Sequence, residues 1–351
     1  MLTLIFGLSI DSSIGRADEA HLPEQARMEL FIDNLHEADK RQFLDNENFY
    51  LPYEVWAGVK TDAENHVTSI TWRNIFRHEG SLNVRFLSHS VTFLQATGCA
   101  LHSGISLEEL PQSLESLYLS DNRLMGVANL TSLPDGLKFL YLGTNHFTGE
   151  VCLTNLPSGL VTIHVSENRL TGPIVITNLP ASLKMLAIEK NFCSGSLDLD
   201  CLPLSLDRLF LSENHFSGEL CLTHLPRALR YLSASDNRFS GSLDLTCLPE
   251  AMLGLNLSNN AFSGSLDLSS LSHNLLRLYL MDNQLSGQLC IHGLPEHIRT
   301  LHLEGNAFQG DIVFGAIPIG LVEISISKQR GAKLCDLDGE AFFDERIHVV
   351  Y

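Results

Sequence analysis

The side chains best suited to metal binding or nucleophilic chemistry are eight cysteines and fifteen histidines. We find no His-x-x-x-His, Cys-x-x-Cys or comparable metal-binding spacing among them. No Ser-His-Asp or Cys-His constellation and no phosphate-binding loop stands out either. The sequence therefore predicts no metal, no cofactor and no enzymatic activity.

The spacing of the cysteines follows a repeat that runs through most of the chain. Cys152, Cys221 and Cys290 are each 69 residues apart, which is three times 23. The same step of 23 residues separates the similar stretches 202–224 and 225–247. A fixed period of about 20–50 residues indicates a solenoid, in which each repeat packs only on its neighbours. The predicted fold is a repeat solenoid.

The residues that recur within each repeat predict the shape of one turn. The pattern L-x-x-L-x-L predicts a short strand whose leucines, such as Leu209 and Leu211, face inward while Phe210 faces outward. A glycine four residues after a recurrent asparagine is expected to allow a bend that a Cβ would obstruct. The stretch Gly218–Leu222 predicts a second, shorter strand. The asparagine, whose amide can satisfy buried backbone groups, occurs in nine repeats: Asn122, Asn145, Asn168, Asn191, Asn214, Asn237, Asn260, Asn283 and Asn306.

These columns resemble those of a leucine-rich repeat domain, closest to the plant-type pattern N-x-F/L-S/T-G-x-L/I, from roughly Val67 to Gln329. The stretch Trp56–Trp72 resembles the N-terminal capping segment of that family, with Lys60 where a cysteine is usual. The resemblance implies a curved coil with a parallel sheet on its concave face, a binding surface on that face, and no intrinsic catalysis. It leaves the ligand open, since this fold carries many functions.

Four segments are predicted along the chain. Residues 1–20 form an N-terminal segment in which residues 2–17 weakly resemble a signal peptide. Residues 21–62 form a helical cap, with an amphipathic helix expected from Leu22 to Asn46 because Met28 and Phe31 follow helical spacing. Residues 63–331 form the solenoid and residues 332–351 a C-terminal cap.

The net charge and the spacing of the cysteines limit the possible partners and the cellular compartment. The net charge of −18 disfavours nucleic acid and anionic membranes, and no stretch is long enough to span a membrane. Cysteines three turns apart are separated by about 14 Å, beyond the roughly 7 Å that a disulfide allows between Cα atoms. We therefore expect no disulfides and a reducing, cytoplasmic location. The alternative is a secreted or cell-surface protein that uses the weak N-terminal signal.

The variable outward positions are the candidate binding site. Aromatic residues on a rigid sheet are typical of binding hot spots, and an acidic column beside them favours a basic partner. The leading hypothesis is a non-enzymatic scaffold that binds a protein or peptide on the concave face. The alternative is a structural or surface-coat repeat protein without a specific ligand. The candidate residues are Tyr118, Tyr141, His164, Phe210, Tyr279 and His302, with Asp121, Glu167, Glu213 and Asp236 in the acidic column.

Overall fold

The computed structural model describes residues 22–350, so the signal-like segment 2–17 lies outside the described residues. These residues form a solenoid of stacked turns, as the repeat predicts. Its main sheet has fourteen strands, parallel except for the antiparallel first pair. The strands are Val59–Thr61, Val67–Arg73, Phe93–Thr97, Ser116–Tyr118, Phe139–Tyr141, Thr162–His164, Met185–Ala187, Arg208–Phe210, Tyr231–Ser233, Gly254–Asn256, Arg277–Tyr279, Thr300–His302, Glu323–Ser327 and Ile347–Val350.

Two further parallel sheets form from the second half of each turn. The second sheet has ten strands: His102–Ser103, Arg123–Val127, His146–Glu150, Arg169–Pro173, Phe192–Gly195, His215–Glu219, Arg238–Ser242, Ala261–Gly264, Gln284–Gly287 and Ala307–Phe308. The third sheet has three strands, Cys290–Ile291, Ile312–Phe314 and Leu334–Asp336.

The second strand of each turn begins earlier than the sequence predicted. The stretch Gly218–Leu222 was expected to form it, but the strand runs over His215–Glu219. The amide N–H of Phe216 donates to the side chain of Asn237 at 3.0 Å, which ties this strand to the asparagine column. Leu220 and Leu222 point inward as expected and are buried.

The recurrent glycine serves its backbone conformation in every repeat, and at Gly172 space is short as well, since a Cβ would come within 2.5 Å of the Glu150 side chain. Gly218 has a φ of +87°, in the left-handed region that side chains rarely adopt. At Gly126, whose φ is +90°, a Cβ would meet no atom within 4 Å. A Cβ at this position would therefore strain the backbone of the bend, as the sequence predicts, without meeting a neighbouring residue.

Register is exact to one repeat, so equivalent residues line up across the main sheet. Leu186 pairs with Leu209, and Leu209 pairs with Leu232. Each inward column is thus a continuous apolar row, and Phe216, Phe239 and Phe262 stack in another such row at 6.2 and 6.3 Å between ring centroids.

The asparagine column joins successive turns through its amide groups. The Nδ2 of Asn214 donates to the carbonyl oxygens of Leu211 and Ser212 in its own turn, at 3.1 and 3.2 Å. It also donates to the carbonyl of Ile188 in the preceding turn at 3.0 Å. Its Oδ1 accepts from the amide of Cys193 at 3.0 Å. One buried side chain therefore bonds to four backbone groups, with its two amide protons shared among three carbonyls, which agrees with the predicted role of the column.

The helical region at the N-terminus is shorter and more broken than expected. The helices are Glu24–Phe31 and Glu37–Lys40, so a single helix from Leu22 to Asn46 is wrong. The chain leaves the helix because the carbonyls of Phe31 and Asn34 accept from the amides of Asn83 and Ser81, at 2.9 and 3.0 Å. The described 3-10 helices are Arg41–Phe43, Tyr53–Val55, Val84–Phe86, Leu107–Glu109 and Leu130–Ser132.

An aromatic cluster covers the first turn, where Lys60 replaces the usual cysteine. Trp72 is buried, stacks on Phe31 at 5.8 Å and contacts Phe43 at 5.7 Å. Its indole N–H donates to the carbonyl of Ala57 at 2.9 Å. Apolar packing thus closes this end, and Ile347–Val350 extends the sheet at the other. Neither described helix has the length and apolar character needed to cross a membrane.

We expect Asn214→Ala to lower the free energy of unfolding by about 3 kcal/mol, because it leaves buried backbone groups without partners. Urea unfolding followed by circular dichroism measures the change. Asn155→Ala, at an exposed position, is the matched control and should change stability by less than about 0.5 kcal/mol. Equal effects of the two substitutions would contradict the role assigned to the column.

Candidate functional site

The candidate site is the solvent-facing side of the main sheet, here called the sheet face. The structure places all six predicted aromatic and imidazole side chains on it, each half-buried. Each is the last residue of a three-residue strand and follows an inward leucine or isoleucine. Its side chain therefore faces outward. Their positions are Tyr118, Tyr141, His164, Phe210, Tyr279 and His302.

Four rings on neighbouring strands form one continuous row, here called the aromatic stack. Phe93 lies 5.4 Å from Tyr118, and Tyr118 lies 4.7 Å from Tyr141 with only 12° between the ring planes. Tyr141 in turn stacks on His164 at 5.7 Å. Phe93 is not among the predicted residues. Phe93 pairs with Ser116, which lies two residues before Tyr118 in the neighbouring strand. Its ring reaches Tyr118 diagonally across the two strands.

The other predicted rings lie apart from the aromatic stack. Phe210 is flanked by Ala187 and Ser233 in the adjoining strands. Tyr279 meets His302 edge to face at 5.1 Å. The expected stripe is therefore divided into separate groups.

The imidazole of His164 ends the stack in a buried polar position. It lies over the backbone of Gly143, where a Cβ would come within 2.3 Å of its Cε1 and 2.4 Å of its Nδ1. Burial lowers the pKa of His164, although Glu167 and Asp121 oppose this effect. Its Nδ1 and the nearby Ser166 hydroxyl have no hydrogen-bond partner among the described residues. Both atoms are shielded from solvent, so a ligand reaches them only if the imidazole turns outward.

The acidic column has a backbone constraint as well as a charge. Asp121, Glu167, Glu213 and Asp236 all adopt positive φ, between 55° and 58°. Aspartate and asparagine tolerate this conformation better than most residues, so the backbone alone can explain the aspartates. It does not explain the two glutamates.

Charge along this column is uneven. Lys190 lies 3.0 Å from Glu167 and, through this hydrogen bond, lowers the pKa of that carboxyl. Burial raises the pKa of Glu189, Lys190 opposes this effect, and the nearby Glu213 and Glu167 add to it. Toward the other end, His302 lies between two carboxylates, with its Nε2 2.9 Å from Glu323 and its Nδ1 3.6 Å from Glu304. Negative charge is thus concentrated near Glu189 and near His302.

A second group of chemically active side chains lies on another side of the coil. The structure brings Asp200, Cys221 and His224 together, with one ligand atom of each within 4.8 Å of the others. Local spacing along the chain does not predict this group, because Asp200 belongs to the preceding repeat. The spacing Cys221-x-x-His224, read together with the 23-residue step, is the signal that could have found it.

The Leucine Rich Repeat family model matches residues 113–140. A search of curated protein sequences gives no significant match. Among solved structures, a TDR receptor is 23% identical with a TM-score of 0.52, over 77% of this chain and 52% of that one.

Two Arabidopsis receptor kinases have similar folds. The ectodomain of GASSHO1/SCHENGEN3 from Arabidopsis thaliana, solved with CASPARIAN STRIP INTEGRITY FACTOR 2, is 23% identical with a TM-score of 0.54. HAESA, solved with the peptide hormone IDA and the co-receptor SERK1, is 21% identical with a TM-score of 0.50. The alignments cover 86% and 87% of this chain but only 44% and 62% of those structures.

At these identities the likeness to the receptors concerns the fold alone. The fold agrees with the 23-residue repeat and with the family match over residues 113–140. Together these observations show that the chain is a leucine-rich repeat protein.

Proposed function

We propose that this protein is a non-enzymatic recognition scaffold that binds a protein or peptide across the aromatic stack. The observation that carries the proposal is the row of half-buried rings on four adjacent strands. Four strands span about 14 Å at the usual strand spacing, which suits several residues of an extended peptide. Large rigid rings bury much area at little entropic cost, which is why they concentrate binding energy.

Polar groups beside the aromatic stack could orient a bound ligand through hydrogen bonds. The buried Nδ1 of His164 and hydroxyl of Ser166 can each form a hydrogen bond that the described residues leave unmade. Because both atoms are buried, a ligand can supply such a bond only when the His164 ring turns outward, and it then removes a cost that the free protein carries. The surface thus offers apolar area with a polar end that opens when a ligand binds.

A basic partner fits the charge around the sheet face. Glu167, Glu189 and Glu213 lie on consecutive turns, and the chain carries a net charge of −18. Such a field raises the association rate of a positively charged ligand and falls off with salt. The HAESA structure contains a peptide hormone, which agrees with a peptide ligand, but the proposal rests on the aromatic stack.

The alternative is a structural repeat protein without a specific ligand. The 12° angle between Tyr118 and Tyr141 favours it, because the two rings already satisfy each other's apolar surface. Cross-strand aromatic pairs contribute about 0.2–1 kcal/mol to a sheet without any partner. Stability and binding measurements on the same variant separate the two functions.

Peptides selected from a random displayed library against the full chain provide a defined probe. We expect Tyr118→Ala combined with Tyr141→Ala to raise their dissociation constants at least about thirtyfold, since the loss of a single hot-spot aromatic costs about 2 kcal/mol or more. Fluorescence anisotropy at two salt concentrations measures the change, and binding should weaken at high salt.

Phe192→Ala is the matched control, because Phe192 is an exposed aromatic residue on the second sheet. It should leave the dissociation constants unchanged. If no peptide is selected, or if the double variant loses stability but keeps full affinity, the structural alternative is favoured.

We propose a reducing compartment on the evidence of the thiols, while the fold neighbour described as an ectodomain favours the cell-surface alternative. All eight cysteines lie within residues 22–350, and they differ in exposure. Cys152, Cys201, Cys221 and Cys247 are exposed, and burial raises the pKa of Cys193 to about 12.

In the presence of a metal chelator, we expect an alkylating reagent to label the four exposed cysteines of the native protein from its own cells, and Cys193 only after unfolding. Mass spectrometry of the labelled peptides measures both. Alkylation of all eight after denaturation without reductant supports the reducing compartment. A stable disulfide between any two would contradict it and favour secretion.

A further inference from the structure

We propose that Asp200, Cys221 and His224 form a binding site for a divalent metal ion of the Zn²⁺ type. The three residues lie in the segments that follow two successive strands of the second sheet, away from the sheet face. All three are exposed, so an ion can reach them without any rearrangement of the core. This site is independent of the proposed binding function.

The imidazole Nδ1 of His224 is the point on which the other groups converge. It lies 3.3 Å from the Oδ1 of Asp200 and 3.9 Å from the Sγ of Cys221. The hydroxyl of Thr223 lies 3.3 Å from the same nitrogen and 3.2 Å from the sulfur. One ring nitrogen carries at most one proton, so it cannot donate to all three neighbours at once. A cation can be shared by nitrogen, oxygen and sulfur together.

The separations agree with the edges of a tetrahedral site. Zinc–ligand distances of about 2.1 Å for nitrogen and oxygen and 2.3 Å for sulfur give a nitrogen–oxygen edge of about 3.4 Å and a nitrogen–sulfur edge of about 3.6 Å. The corresponding distances here are 3.3 Å and 3.9 Å. The third edge is at most 4.8 Å, so a small movement of the exposed Cys221 side chain would close it.

The donor set selects the class of ion. A thiolate with an imidazole suits zinc and related borderline ions, whereas calcium and magnesium take oxygen ligands. Three protein ligands leave a fourth position for water or for a ligand from another molecule. Because the ion competes with protons for the thiolate and the imidazole, binding should weaken as the pH falls.

The trio is not a general consequence of the repeat. Cys152 occupies the same column three repeats earlier and makes the same contact, with its Sγ 3.0 Å from the hydroxyl of Thr154. However, Thr131 and Asn155 stand where Asp200 and His224 would be needed. The chain therefore contains its own control.

Cobalt is the probe, because a bound thiolate gives Co²⁺ a near-ultraviolet charge-transfer band that oxygen and nitrogen ligands do not give. Titration of the full, reduced chain with Co²⁺ should produce this band with one equivalent bound, and Zn²⁺ should abolish it by competition. Cys221→Ser should remove the band. His224→Ala and Asp200→Asn should each weaken binding at least tenfold, while Cys152→Ser should leave the titration unchanged.

Several results would overturn the site. One is the absence of a charge-transfer band in the unmodified chain. Another is a band that survives Cys221→Ser but disappears in Cys201→Ser or Cys247→Ser, which would place the ion on the neighbouring column. A third is equal loss in the Cys221 and Cys152 variants. Circular dichroism of each variant checks that the solenoid is intact, as expected for substitutions at exposed positions.

Discussion

The solenoid depends on one requirement, that the backbone groups of each tight turn find hydrogen-bond partners away from water. An asparagine amide meets it in nine consecutive turns. In Asn168 the Nδ2 donates to Val165 and to Leu142 one turn earlier, at 3.1 and 3.0 Å, while its Oδ1 accepts from Phe147. A buried carbonyl left without a partner costs about 1–3 kcal/mol, so each amide contributes more than most single contacts on the surface. The column holds the turns at one spacing, and the sheets follow from that spacing.

The ends of the array show what replaces this interaction where the asparagine is missing. Cys99 occupies the position in the turn before Asn122, and its sulfur makes only long contacts of 3.8 and 3.5 Å to the carbonyls of Trp72 and Thr97. A thiol is a weak donor, and it cannot join turns as an amide does. The aromatic cluster around Trp72 lies beside this turn, so apolar burial stabilises the structure where the hydrogen-bond ladder weakens.

The sequence predicts contacts within a column well and contacts between columns poorly. Period, inward leucines and the asparagine column all follow from one repeat, because every turn has the same environment. The break after Phe31 depends on carbonyls meeting the amides of Asn83 and Ser81, some fifty residues away, which no helical periodicity encodes. Phe93 reaches Tyr118 only on a diagonal between columns. Asp200 meets His224 from the preceding turn and from the adjoining column, so local spacing along the chain does not reveal the pair.

The same distinction indicates which residues inform on function. An outward side chain of a three-residue strand contacts chiefly its equivalents one turn away, and such pairs contribute about 0.2–1 kcal/mol. The stability of the fold therefore depends little on which residue faces outward. Ser233 and Asn256 occupy this position in two of the strands. The run of Tyr118, Tyr141 and His164 differs from them on three successive turns, where half-buried rings replace serine or asparagine. The repeat pattern does not specify these rings, and the proposed recognition function accounts for their clustering.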